Sequence, residues 1–126
     1  MAEVFGCRRC YGEDPRRVWA YYEKGLAVER ELVFEPHFIV QLRRCAECGQ
    51  LFVWIFSEEG GADAQRREIA PVSADETEAL SNLDFSSFAD LDGCRRHLVT
   101  EGPTDASEPA IEWVTGELRL PGSRLG

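Results

Sequence analysis

The chain has 126 residues, 44% of them hydrophobic and 29% charged, with a formal charge of −9. That is enough for one compact domain, and no apolar run approaches the roughly 18 residues of a membrane-spanning helix. The charge is uneven: residues 1–56 carry 8 Lys/Arg and 8 Asp/Glu, whereas residues 57–126 carry 6 and 15, an acidic half that repels phosphate backbones and anionic lipid and would steer a basic protein toward itself.

The first six residues, Met1-Ala2-Glu3-Val4-Phe5-Gly6, lack the basic flank and apolar core of a secretory signal, so a cytoplasmic location with reduced thiols is expected. Next comes Cys7-Arg8-Arg9-Cys10, with Gly12 shortly after. Asp14-Pro15 has the chemistry of a helix start and Gly25 that of a helix end, yet Val18-Trp19-Ala20-Tyr21-Tyr22 favours a strand. A β-hairpin turning at Glu23-Lys24-Gly25 is therefore expected for residues 18–34. His37–Leu42 and Leu51–Phe56 are rich in β-branched and aromatic residues and predict two strands. They flank Cys45-Ala46-Glu47-Cys48-Gly49, which places the second cysteine pair at a hairpin turn. Trp19, Tyr21, Phe38, Phe52, Trp54 and Phe56 are expected mainly in the core.

The polar, glycine-bearing stretch Ser57–Ala64 reads as a loop. Ser73-Ala74-Asp75-Glu76 is a capping box, in which hydroxyl and carboxylate satisfy each other's free backbone donors, and it predicts a short helix to about Leu83. Phe88, Leu91, Cys94 or Arg95, and Leu98 fall at helical spacing and predict a second helix from about Ser86 to His97, weakened by Gly93. The alternation through Ile111, Trp113 and Thr115 predicts a last strand. The expected fold class is α+β within a single domain, 1–126: antiparallel β-hairpins over 1–56, then an acidic extension over 57–126 with one or two short helices and a late strand. Val53, Ile55 and the strand around Trp113 are candidates for an exposed edge, and the sequence leaves the oligomeric state open.

The strongest chemical signal is the pair of Cys-x-x-Cys motifs. This spacing brings both sulfurs to one side of a tight turn and lets later backbone N–H groups donate to them, while a following glycine allows positive φ. Gly49 fits that place, and Gly12 fits it one residue late. Two such turns facing each other build the four-sulfur tetrahedron that zinc prefers, so Cys7, Cys10, Cys45 and Cys48 are the candidate ligands of one structural zinc ion. Iron in the same four sulfurs would make an electron carrier, and the residues leave the choice of metal open. Thiol redox chemistry would require a helix N-terminus in a βαβ pattern or an oxidising compartment, neither of which the sequence indicates. The 34 residues between Cys10 and Cys45 exceed the ~15–20 of compact zinc sites, so an insertion fills the gap.

Cys7, Cys10, Cys45, Cys48, Gly49 and the strands around the second pair resemble the zinc ribbon superfamily and its rubredoxin-like knuckles, over about the first 56 residues. The resemblance implies one metal held between two β-hairpins and a rigid interaction platform, as ribbons provide in transcription, translation and related assemblies.

Other candidates have simpler readings. Cys94-Arg95-Arg96-His97 has ligand-like spacing, but four cysteines already fill a structural shell and Cys94 shares an apolar stripe with Phe88 and Leu91, which reads as packing. His37 reads as a turn or packing residue. Arg8-Arg9 and Arg43-Arg44, near Trp19 and Tyr21, would suit either a nucleic-acid patch or counter-charges donating to a four-thiolate centre, and the acidic total favours the second. No nucleophile triad, phosphate loop, dinucleotide fingerprint or metalloprotease motif occurs, and only 2 histidines are present for acid–base work. The expected protein is a non-catalytic, zinc-stabilised interaction or regulatory module. Its expected partner is another protein, such as a basic enzyme, a toxin or a component of gene expression.

Overall fold

A computed structural model of the chain describes residues 6–58, 65–81, 96–102 and 110–115. Helix α1 (Pro15–Gly25) leads into strands β1 (Leu26–Glu35), β2 (Phe38–Cys45), β3 (Leu51–Glu58) and β4 (Gln65–Pro71), followed by helix α2 (Ala74–Ser81) and strands β5 (Arg96–Gly102) and β6 (Ala110–Thr115). The strands form one six-stranded sheet in the order β1-β2-β3-β4-β5-β6, each antiparallel to its neighbours. Among the described residues the fold is mostly antiparallel β with two short helices.

Helix α1 overturns the hairpin expected between Val18 and Gly25. Asp14 caps it, its carboxylate accepting from the Arg16 N–H at 3.0 Å, and Pro15 occupies the first turn, where its missing N–H costs nothing. Val18, Tyr22 and Gly25 recur at helical spacing and are buried. Aromatic and β-branched residues favour strands because a sheet surface buries them. Here the underside of a helix buries them instead, so the capping chemistry and the period of Val18 and Tyr22 decide the outcome.

The register of the strands sorts side chains onto two faces. One carries Cys45, Phe52, Trp54, Ile69 and Leu98, on which Val18, Tyr22 and Leu26 pack. Helix α1 lies on this face and reaches both β6 and β1. The other face carries Phe38, Val40, Leu42, Val53, Ile55, Ala70 and Val72. Each of these large side chains contributes about 1.5–3 kcal/mol by leaving water. Val53 and Ile55 therefore lie in the core of a central strand, not at the exposed edge expected of them. The sheet edges are β1 and β6, and β1 is blunted by irregular pairing between Val28 and Arg30 and between Glu31 and Val33.

Strands β2 and β3 and the late strand β6 run where the sequence pattern puts them. The capping box is formed as expected: Ser73 N–H donates to Glu76 Oε1 at 2.7 Å, and Glu76 N–H donates to Ser73 Oγ at 3.2 Å. Ser57 and Glu58 extend β3 instead of entering a loop, and residues 59–64 lie outside the described part. The helix expected to end at His97 is corrected there: Arg96 and His97 open strand β5, while residues 82–95, including Cys94, lie outside the described part. Strand β4 was not foreseen. Its first half, Gln65-Arg66-Arg67-Glu68, is polar, but Arg66 pairs with the buried Glu68 at 2.8 Å and with Glu101 of β5.

Candidate metal centre

The first knuckle, Cys7–Cys10, precedes α1, and the second, Cys45–Cys48, is the turn between β2 and β3. The residues between them are thus accounted for by α1, β1 and β2, which fold back so that the two turns meet. Cys7 and Cys10 sulfurs are 3.6 Å apart, Cys7 and Cys45 3.9 Å, and Cys10 and Cys48 3.7 Å. All four sulfurs lie within 4.8 Å of one another. A regular tetrahedron with metal–sulfur bonds of about 2.3 Å has edges of about 3.8 Å. The donor set therefore fits a single tetrahedral metal ion, with every ligand supplied by the protein. Cys10 and Cys45 are buried, Cys7 is partly exposed and Cys48 exposed, so one side of the centre faces solvent.

Backbone and side-chain donors converge on the sulfurs. Cys7 N–H donates to Cys10 Sγ at 3.2 Å, the N–H groups of Cys48 and Glu47 donate to Cys45 Sγ, and that of Gln50 donates to Cys48 Sγ. The Tyr21 hydroxyl of α1 lies 3.0 Å from Cys45 Sγ. Burial opposes ionisation of Cys45, but the Tyr21 hydroxyl and the two N–H groups outweigh it and bring its pKa down to about 7. Burial drives the Cys10 thiol well above the ordinary range and also raises Cys48. A divalent ion would reverse that logic by deprotonating all four thiols, and these donors would then offset the thiolate charge.

The knuckles are held by neighbouring residues. Gly49 takes φ +80°, which makes the turn after Cys48 accessible at low cost. Gly12 is corrected in this respect, because its φ is not in the left-handed region. What requires a glycine there is the Arg8 carbonyl oxygen, 2.4 Å from where a Cβ would stand. Tyr22 donates to the Cys10 carbonyl at 2.6 Å, and Ala46 N–H donates to the Gly25 carbonyl at the end of α1 at 2.9 Å. Arg96 of β5 clamps the first knuckle from the far side. It donates from Nη2 to the carbonyls of Tyr11 and Gly12 at 2.6 and 2.9 Å, and its guanidinium lies 4.3 Å from the Tyr11 ring centre and 4.2 Å from that of Trp113. Trp113 Nε1 in turn donates to the Glu13 carbonyl at 3.1 Å.

The arginines beside the cysteines engage partners other than the sulfurs. Arg9 pairs with Glu47 across the two knuckles at 3.5 Å, and Arg44 pairs with Glu29 at 2.6 Å and donates to the Gly49 carbonyl at 3.0 Å. Arg43 lies over Trp54. Among the described residues no arginine donates to a sulfur. His37 sits in the turn after β1, exposed, with Nδ1 2.9 Å from Glu58 Oε1. His97 is buried on β5 with Nε2 3.7 Å from Glu68 Oε2, and belongs to a separate polar cluster.

Tyr21, Tyr22, Tyr11, Arg96 and Trp113 support the knuckles, a part that the sequence pattern does not assign to them. The adjacent tyrosines could have been found by taking residues 15–25 as a helix ending against the second cysteine pair. The Arg96 clamp leaves no local signal. Among the described residues no helix is long and apolar enough to cross a membrane. Comparison with family models, with curated proteins and with solved structures finds no match to this chain, so the cysteine cluster and its surroundings are the basis for a functional reading.

Proposed function

We propose that Cys7, Cys10, Cys45 and Cys48 hold one structural zinc ion and that the chain is a non-catalytic module whose task is to bind another protein. The observation that carries this reading is the set of four sulfurs within 4.8 Å of one another. Four protein thiolates complete a tetrahedral shell and leave no coordination position for substrate, which is the pattern of structural rather than catalytic zinc. When bound, the ion supplies folding free energy and rigidity. Tyr21, Tyr22 and Arg96 orient the loops that carry the ligands. The acidic second half supports a protein partner with a basic surface and disfavours a polyanion.

Elemental analysis of the purified chain, repeated on the Cys45→Ser, Cys48→Ser variant with circular dichroism, tests the metal. One zinc per chain, lost together with folding in the variant, is expected. Stoichiometric iron would redirect the reading to electron transfer, and an intact fold without metal would overturn it. Co-purification with the zinc-loaded chain at low and high salt tests the partner: a protein released by salt is expected, and recovery of nucleic acid alone would count against the reading.

A further inference from the structure

Most arginines of the described residues either stand in solvent or meet their charge within the molecule. Arg9, Arg17 and Arg44 pair with Glu47, Asp14 and Glu29, Arg66 pairs with Glu68 and Glu101, and Arg96 donates to two carbonyls. Arg43 and Arg67 differ. Both are half-buried, on the sheet face that carries α1. Among the described residues neither has a carboxylate within ion-pair reach.

The two side chains flank Trp54 of β3 from opposite sides. Arg43 of β2 stands across from Phe52, and Arg67 of β4 stands across from Phe56, so each is a diagonal neighbour of Trp54. The Arg43 guanidinium lies 3.6 Å from the Trp54 ring centre and donates from Nε and Nη2 to Gln41 Oε1 at 3.0 and 2.8 Å. Among the described residues its Nη1 makes no hydrogen bond. The Arg67 guanidinium lies 5.0 Å from the Phe56 ring centre and makes no hydrogen bond among the described residues. Trp19 of α1 stacks on Trp54 with ring centres 5.6 Å apart. The two arginines are close enough that their charges repel, and the acidic group acting on Arg67, Glu23, is exposed at the end of α1.

Removing a cation from water without a counter-charge is unfavourable, and bringing a second cation beside it adds to the cost. Ring faces offset only part of it. Guanidinium forks with unused N–H groups match the oxygens of carboxylate or phosphate, and such charge-assisted bonds are about twice as strong as neutral ones.

We propose that Arg43 and Arg67 form a binding site for an oxyanion, the carboxylate or phosphate group of a ligand, with the half-buried Trp19 and Phe56 as the apolar wall for the rest of that ligand. The net charge of −9 restricts the occupant to one or two acidic groups and weighs against a polyanion. The proposal rests on the sheet face alone and stands whether or not the metal reading holds.

Two titrations of the full chain, with sodium phosphate and with sodium acetate replacing sodium chloride at constant ionic strength and pH 7, test it. The readouts are the thermal midpoint and the arginine Nε–Hε NMR signals, on the native chain and on Arg67→Gln. A saturable rise of the midpoint is expected, with signals of Arg43 and Arg67 moving and others still, and with affinity at least about tenfold weaker in the variant. In chloride the variant should be no less stable than the native chain, since one of two repelling charges is gone; a lower midpoint would indicate a merely structural arginine and count against the site. Tighter phosphate binding assigns a phosphoryl ligand, and tighter acetate binding a carboxylate ligand. A linear rise equal in both chains is the general effect of an excluded salt and overturns the proposal. So do unmoved Arg43 and Arg67 signals, a readout that needs only the native chain if Arg67→Gln fails to fold.

Discussion

The hydroxyl of Tyr21 lies 3.0 Å from the sulfur of Cys45, while the next residue, Tyr22, donates to the carbonyl of Cys10. Consecutive positions of one helix thus hold the two knuckles separately. Tyr21→Phe removes the first link and keeps the ring. Zinc affinity measured by chelator competition is expected to fall roughly tenfold with an unchanged circular dichroism spectrum, and an unchanged affinity would rule out a role for the hydroxyl.

Two glycine substitutions separate backbone strain from displacement of that tyrosine. In Gly49→Ala the new methyl meets no atom closer than Arg44 Nη1 at 3.9 Å, but the backbone stays at φ +80°. The expected cost is about 1–2 kcal/mol in urea unfolding. In Gly25→Ala the Cβ would stand 2.2 Å from Cζ of Tyr21. The ring must move, so the expected signature is a destabilisation of about 1–3 kcal/mol together with the metal-affinity loss of Tyr21→Phe.

Arg96 joins the first knuckle to the last two strands through two carbonyls and two rings. Arg96→Ala is expected to lower stability by about 3 kcal/mol in urea unfolding, combining lost charged hydrogen bonds and cation–π contacts. Arg96→Lys should recover less than half of that, because an ammonium cannot span both carbonyls while lying flat against the rings.

Acid should act through His97. Burial, and then the charge of Arg66, lower its pKa from 6.5 to about 4. Glu68 Oε2, at 3.7 Å, is beyond hydrogen-bond reach, and Arg66 already engages that carboxylate; from β6, the uncharged Val114 stands opposite. Above pH 6.5 neither folded nor unfolded chain protonates this ring. Between 6.5 and 4 only the unfolded chain does, so stability falls with pH across that window by up to ~1.4 kcal/mol per unit. Urea unfolding of His97→Gln should show a shallower fall than the native chain over the same range, with thiolate protonation common to both. Parallel curves would remove His97 from the account.

The metal cluster was legible because four thiols must converge whatever the chain does between them, and spacing alone records that need. The capping box at Ser73 and Glu76 was legible for a similar reason: both partners lie within one turn. Helix α1 was misread because Val18-Trp19-Ala20-Tyr21-Tyr22 states a need for burial without saying which geometry supplies it. Strand β4 was missed because Arg66 and Glu68 read as solvent-facing until Glu101 and His97 on the next strand are known. The Arg43–Trp54–Arg67 arrangement and the Arg96 clamp each arise from three separate segments, and no local pattern announces them.

The Tyr11–Arg96 contact spans 85 positions in the chain. In chain order Cys7, Cys10, Cys45 and Cys48 all precede Arg96 and Trp113. The residues that hold the four sulfurs together from α1 are thus complete before β5 and β6, which close over the first knuckle as a latch. Chelator-induced release of zinc is therefore expected to quicken in Arg96→Ala more than uptake slows, because Arg96 fastens a knuckle that α1 already holds.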